Sequence, residues 1–144
     1  MNVLEIELGD YVISTDKARL DLDLIHDYLN NQSYWAQGRP LATVQTSIEH
    51  SLCFGVYHDG QQVGFARVVT DYATFAWLCD VFVLESHRGQ GLGKRLVEAV
   101  VAHPELQTLR TFLLATRNAH DLYRRYGGFE TLPAPEKWMR RPRA

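Results

Sequence analysis

The sequence predicts a mixed α/β fold in one domain: an antiparallel strand meander followed by strand, helix, strand, helix. Three observations carry that prediction. Asp59-Gly60 separates two apolar runs, 52–57 and 63–70, which is a strong hairpin signal. The apolar segment Phe75–Val83 then runs into a turn with glycines at 89, 91 and 93 and straight on into a helix. That helix places Leu92, Leu96, Val97, Val100 and Val101 on one face and keeps Lys94, Arg95 and Glu98 off it.

Taken in order, Tyr11–Ser14 reads as the first strand. Thr15 or Asp16 caps a helix carrying Leu20, Leu24, Ile25 and Tyr28 at helical spacing. Residues 30–40 form a polar and aromatic loop, and 42–50 a second helix. The hairpin follows, and a turn around Asp71-Tyr72-Ala73 leads into the long strand Phe75–Val83. Pro104 stops the helix that begins at Gly91. A strand over 111–115, a short helix over 118–126 and final strands within 130–140 complete the chain. No linker, repeat or low-complexity stretch divides it.

Composition excludes several classes. At 144 residues the chain suits a single domain, 1–144, with a sizeable core. A hydrophobic share of 46% and a charged share of 22% fit a globular protein. The net charge of -2 offers no long-range attraction to nucleic acid or anionic lipid, so neither is expected as a partner. The basic tail 137–143 is interrupted by Trp138 and Met139 and reads as a solvated terminus. No apolar run spans a bilayer and no signal pattern opens the chain, so a cytoplasmic location is expected. Cys53 and Cys79 sit in apolar sequence and read as buried hydrophobes rather than a disulfide or a nucleophile. The six histidines show no ligand spacing, so no metal is expected.

The glycine turn carries the chemistry. Glycines let successive backbone N–H groups converge, and the following helix adds its unpaired amides and positive dipole end. The result is an anion cradle suited to phosphate. A Walker loop fails, because Arg88 stands where its first glycine belongs and Arg95 where its hydroxyl belongs. A dinucleotide fingerprint fails too, because only Leu92 separates Gly91 from Gly93. Arg88-x-x-Gly91-x-Gly93, between an apolar strand and a helix, resembles the coenzyme A signature of the GNAT N-acetyltransferase superfamily. A second segment is similar to the other motif of that family: Leu114-Ala-Thr-Arg-Asn118, a helix bearing Leu122-Tyr123, then Gly128-Phe129. Four residues rather than the usual three separate that tyrosine from Gly-Phe, which leaves Tyr126 as an alternative to Tyr123.

The resemblance covers nearly the whole chain and implies a GNAT fold with a central, mostly antiparallel sheet flanked by helices. It implies acetyl-CoA as co-substrate and direct transfer to an amine. Arg88, Gly89, Gln90, Gly91, Leu92, Gly93 and Lys94 would form the cradle, joined by Asn118 and Tyr123 on the cofactor side. The backbone amides of Phe82 and Val83 would meet the thioester carbonyl and pantetheine. Tyr123 is the implied acid for the leaving thiolate, since a phenol is protonated at neutral pH. Asp80, alone in an apolar strand, is the candidate base, with a water chain as the alternative. The acceptor is expected beside Tyr34, Trp35, Arg39, Arg67 and Trp77. Aromatics there suit an apolar or cationic body, and the arginines suit a carboxylate. Polyamine, amino acid, aminoglycoside and protein N-terminus all stay open, with a small molecule expected before a protein. A non-catalytic acyl-CoA-binding sensor is the alternative, and the presence of both Asn118 and Tyr123 favours the enzyme. Pairing of a sheet edge leaves monomer and homodimer open.

Overall fold

The computed structural model describes residues 2–143. Its sheet has six strands in sequence order: β1 (Glu5–Leu8), β2 (Tyr11–Ser14), β3 (Leu52–His58), β4 (Gln61–Thr70), β5 (Phe75–Val83) and β6 (Thr111–Leu114). Every neighbouring pair is antiparallel except β5–β6, which is parallel. The four α-helices are α1 (Leu22–Asn31), α2 (Leu41–Glu49), α3 (Leu92–Ala102) and α4 (His120–Gly127). At the hairpin, Asp59 and Gly60 have φ of 51° and 78°, the positive pair that a type I′ turn requires.

The two faces of the sheet bury separate clusters. Leu92, Leu96, Val97 and Val100 of α3 pack with Tyr123 of α4 against Leu52, Phe54, Val56, Ala66 and Val68. Ile25, Tyr28 and Leu29 of α1 and Val44 of α2 pack against Cys53, Phe65 and Phe82 on the opposite face. Burying each large aliphatic chain contributes about 1.5–3 kcal/mol before entropy is counted.

Two irregularities shift which residues face which side. Val63 is inserted opposite the Val56–Tyr57 step. In β5, Arg67 pairs with Cys79 and Phe65 with Phe82, so Asp80 and Val81 together oppose Ala66. Asp80 absorbs this bulge with φ of 54°. Before it, Ala76 and Leu78 face α3; after it, Val81 and Val83 do, and Phe82 turns toward α1. The ladder from β5 to β6 runs only from Phe75–Thr111 to Leu78–Leu114. Beyond Leu78 the two strands part.

Three expectations are corrected. Tyr11–Ser14 is not the first strand: β1 precedes it across Gly9-Asp10, its Ile6 and Leu8 alternating with exposed glutamates. Asp16 caps only a 3₁₀ turn, Lys17–Arg19; α1 starts behind Asp21, whose carboxylate accepts the Leu24 N–H at 3.1 Å. Leu20 between them is extended, which ends the first turn. Nor do strands form within 130–140. Pro133 and Pro135 offer no N–H, Ala134 has φ of 51°, and only a 3₁₀ turn, Pro135–Lys137, appears there.

Because Asp21 satisfies an otherwise orphan amide of α1, Asp21→Ala should lower stability by about 1 kcal/mol. Urea unfolding measures it, with Asp16→Ala expected to cost less because it caps a single turn.

Candidate active site

Where β5 and β6 part, the sheet opens into a cavity of about 590 Å³. Its walls come from the α1–α2 loop, the bulged half of β5 and the segment joining β6 to α4. It brings together Tyr34, Trp35, Arg39, Arg67, Trp77, Asp80, Asn118 and Tyr123, all marked by the sequence. The residues of the glycine turn, with Phe82 and Val83, are not among its lining residues.

Asp80 organises the inner wall. The bulge turns its carboxylate to the α1–α2 side, where it is 3% exposed. There Oδ1 accepts the Trp35 Nε1–H at 2.9 Å, and Oδ2 accepts Arg39 Nη1–H and Arg67 Nε–H, both at 2.8 Å. A second Arg67 nitrogen donates to the buried Ser51 hydroxyl at 3.0 Å. A buried carboxylate with three strong donors is well satisfied, and two guanidiniums around one carboxylate leave a net positive wall. The candidate base is therefore tied to three donors, with one acceptor site of Oδ1 left beyond Trp35.

The outer wall is closed by Tyr34. Its hydroxyl accepts the Arg117 N–H at 2.9 Å, and the Arg117 guanidinium lies 3.8 Å from its ring centroid. Trp35 meets Tyr34 edge-on at 5.1 Å. Arg117 was missed from sequence, although it directly precedes Asn118 in the strand–Asn motif.

Tyr123 reaches the cavity from the first turns of α4 and is 8% exposed. Burial, aided by the nearby Tyr34, pushes its phenol up to about 12, so it keeps its proton at neutral pH. Tyr126 instead lies against α3, with the Lys94 Nζ 5.1 Å from its ring centroid. Gly127 ends α4 and Gly128, at φ 71°, caps it by donating to the Tyr123 carbonyl. The extra residue is thus absorbed after Tyr123, whose position it leaves alone. Burial also pushes the Cys53 thiol up to about 12 and the Cys79 thiol up to about 11, which disfavours either as a nucleophile.

The glycine turn lies at the far end of β5. Gly89 and Gly91 have φ of 81° and 76°, and a Cβ at either would meet nothing within 4 Å. Their requirement is torsional, and the open space above them suits a ligand lying on the backbone. Arg95 N–H makes the first bond of α3, to the Gly91 carbonyl, so the amides before it are available to an anion. Arg88 does not extend from this cradle: it donates to the Val83 carbonyl at 3.0 Å and to the Tyr28 hydroxyl at 3.0 Å. Tyr28 in turn stacks on Phe82 with centroids 4.0 Å apart. His87 is tied to the Tyr11 hydroxyl at 3.0 Å. No cluster of three metal-ligating side chains exists among the described residues, and no helix there is long and apolar enough to cross a membrane.

The class follows from the match of residues 22–129 to the model of the acetyltransferase (GNAT) family. The chain belongs to that family. A structure from Xanthomonas campestris pv. campestris, described as a candidate acetyltransferase of the GNAT family, shares 54% identity. It aligns over 94% of this chain and 95% of its own with a TM-score of 0.90. A candidate acetyltransferase of Gibberella zeae is 33% identical, covering 78% of this chain and 75% of its own. The spermine/spermidine N(1)-acetyltransferase of Bacillus subtilis is 28% identical, over 78% of this chain and 82% of its own.

Removing Arg67 would leave Asp80 buried with fewer donors. Arg67→Met should therefore cost roughly 2–4 kcal/mol in urea unfolding. Combined with Asp80→Ala, the loss should fall short of the sum of the two single losses by about 1–3 kcal/mol.

Proposed function

We propose that the chain is an acetyl-CoA-dependent N-acetyltransferase that passes the acetyl group directly to a small-molecule amine held in the cavity. The observation that carries this reading is the parting of β5 and β6 between the glycine cradle and the proton-bearing Tyr123. The residues present fit the co-substrate. Gly89 and Gly91 leave open space over left-handed backbone, and the start of α3 supplies unpaired amides for a pyrophosphate. When bound, acetyl-CoA would supply the acetyl group as a thioester.

Each protein group then has a limited task. The cradle from Gly89 to Lys94 binds phosphate through backbone N–H groups, while Arg88 holds the cradle against β5 and α1. The main chain of β5 from Cys79 onward lacks a partner on the β6 side. Its amides at Phe82 and Val83 are assigned to the thioester end and pantetheine, where charge develops on oxygen during transfer. Asn118 is assigned to the pantetheine from the opposite wall. Tyr123 Oη donates its proton to the departing thiolate.

Asp80 is assigned to positioning: it fixes Trp35, Arg39 and Arg67. The amine proton leaves to water in the cavity, and the guanidiniums beside it make that loss easier by disfavouring a nearby ammonium. The acceptor lies between Trp35, Trp77 and the arginines; a polyamine, as named for the Bacillus subtilis relative, is one class to test.

Saturating acetyl-CoA, at about a hundred times its dissociation constant, should stabilise the protein by roughly 2.7 kcal/mol, seen as a rise in Tm of several degrees. ATP and NAD at equal concentration should give no such rise, and silence with both acetyl-CoA and free CoA would overturn the assignment of the cradle. Tyr123→Phe should lower kcat by about 10²–10⁴-fold with the acetyl-CoA dissociation constant nearly unchanged. Because the folded phenol titrates near 12, that deficit should be uniform from pH 6 to 10 rather than removing one limb of the profile. Equal kcat for both proteins would dismiss the role.

A further inference from the structure

The charged lining of the cavity is lopsided. Arg39, Arg67 and Arg117 are its cations, and Asp80 is its single carboxylate. Asp80 is already largely engaged: three of its roughly four acceptor sites take one indole and two guanidinium donors. The guanidiniums are not. Arg39 uses Nη1 on Asp80, and its Nε and Nη2 have no protein partner among the described residues. Arg67 uses Nε and Nη1, leaving Nη2. Arg117 forms no ion pair among the described residues; its guanidinium lies on Tyr34. At formal charges the lining carries three positive groups against one negative.

The arginines are also held in place. Arg39 and Arg67 have side chains 23% and 12% exposed, and Asp80 anchors both at 2.8 Å. A fixed, partly desolvated fork loses little entropy on taking up a planar anion, which distinguishes it from a flexible surface cation. A polycation would face the reverse: a walled space with three cations and only one carboxylate, most of whose acceptor sites are taken.

We propose that this cavity selects an acceptor amine that also carries a carboxylate, and disfavours polycationic amines. This rests on the acetyltransferase reading for the word acceptor, while the anion selectivity stands on the lining alone. The carboxylate lies on the free edges of Arg39 and Arg67, the body of the molecule lies along Trp35 and Trp77, and the amine points toward the gap between β5 and β6. Asp80 sets the spacing of the two guanidiniums, and so acts as a positioning residue for recognition.

The test is a matched pair of product-like compounds, N-acetyl-L-phenylalanine and its neutral amide, titrated calorimetrically into the full chain with and without CoA. The carboxylate should bind at least ten-fold tighter. That margin should shrink to under two-fold in Arg39→Gln, persist in part in Arg39→Lys, and narrow in the exposed Arg117→Gln, which leaves the Asp80 network intact. Equal or tighter binding of the amide, no binding of either, or an unchanged margin in Arg39→Gln and Arg117→Gln would overturn the proposal. Thiol release from acetyl-CoA separates the two readings. Turnover with spermidine or neutral amines alone sinks anion selection and keeps the acetyltransferase. Carboxylate preference without acetyl-CoA binding does the opposite.

Discussion

One aspartate in a left-handed backbone conformation sets the geometry on which the rest of the site depends. Asp80 supplies the extra residue of the β5 bulge. By doing so it reverses which side chains of the strand face α3 and which face α1. The same reversal aims its carboxylate at Trp35, Arg39 and Arg67. Asp is among the few residues that visit this conformation readily, so backbone and side chain favour the same residue type. The charge that would be costly alone is offset by three donors from two elements, the α1–α2 loop and β4, and those donors become the wall of the cavity.

The phosphate end and the acceptor end are joined by packing rather than by a shared ligand. Phe82 stacks on Tyr28, Tyr28 accepts from Arg88, and Arg88 holds the Val83 carbonyl. The loop that would grip a phosphate is thereby fastened to α1, whose following loop carries Trp35. The arginine of the glycine turn here acts as a brace between β5 and α1.

Much of this was legible in the sequence because it is periodic or punctuated. Asp59-Gly60 fixed the hairpin, the spacing of Leu92, Leu96 and Val100 fixed α3, and Phe75–Val83 was read with its observed bounds. The lining residues were named from family likeness, and the cavity does gather eight of them. What escaped has physical reasons. A bulge leaves no mark in hydrophobic pattern, so the commitment of Asp80 to two guanidiniums could not be read from its neighbours. The short strand β1 hides because its outward residues are glutamates. The apolar residues of 130–140 suggested strands, but Pro133 and Pro135 outweigh them. Arg117 adjoins the motif residue Asn118, but its partner Tyr34 lies 83 positions away in the chain, beyond any local pattern.

The parting of β5 and β6 also has a mechanical side. β6 is held to the sheet by four paired residues, on one edge only, whereas β3, β4 and β5 are bound by longer antiparallel ladders. The cavity wall from Leu114 to Tyr123 hangs from that short seam, from the bridge of Arg117 to Tyr34, and from the contact of α4 with α3, where Leu122 reaches Gly93 and Val97 approaches Gly127. One side of the cleft thus rests on a short edge seam and a side-chain bridge, the other on the long ladders of β4 and β5 that carry Arg67 and Asp80.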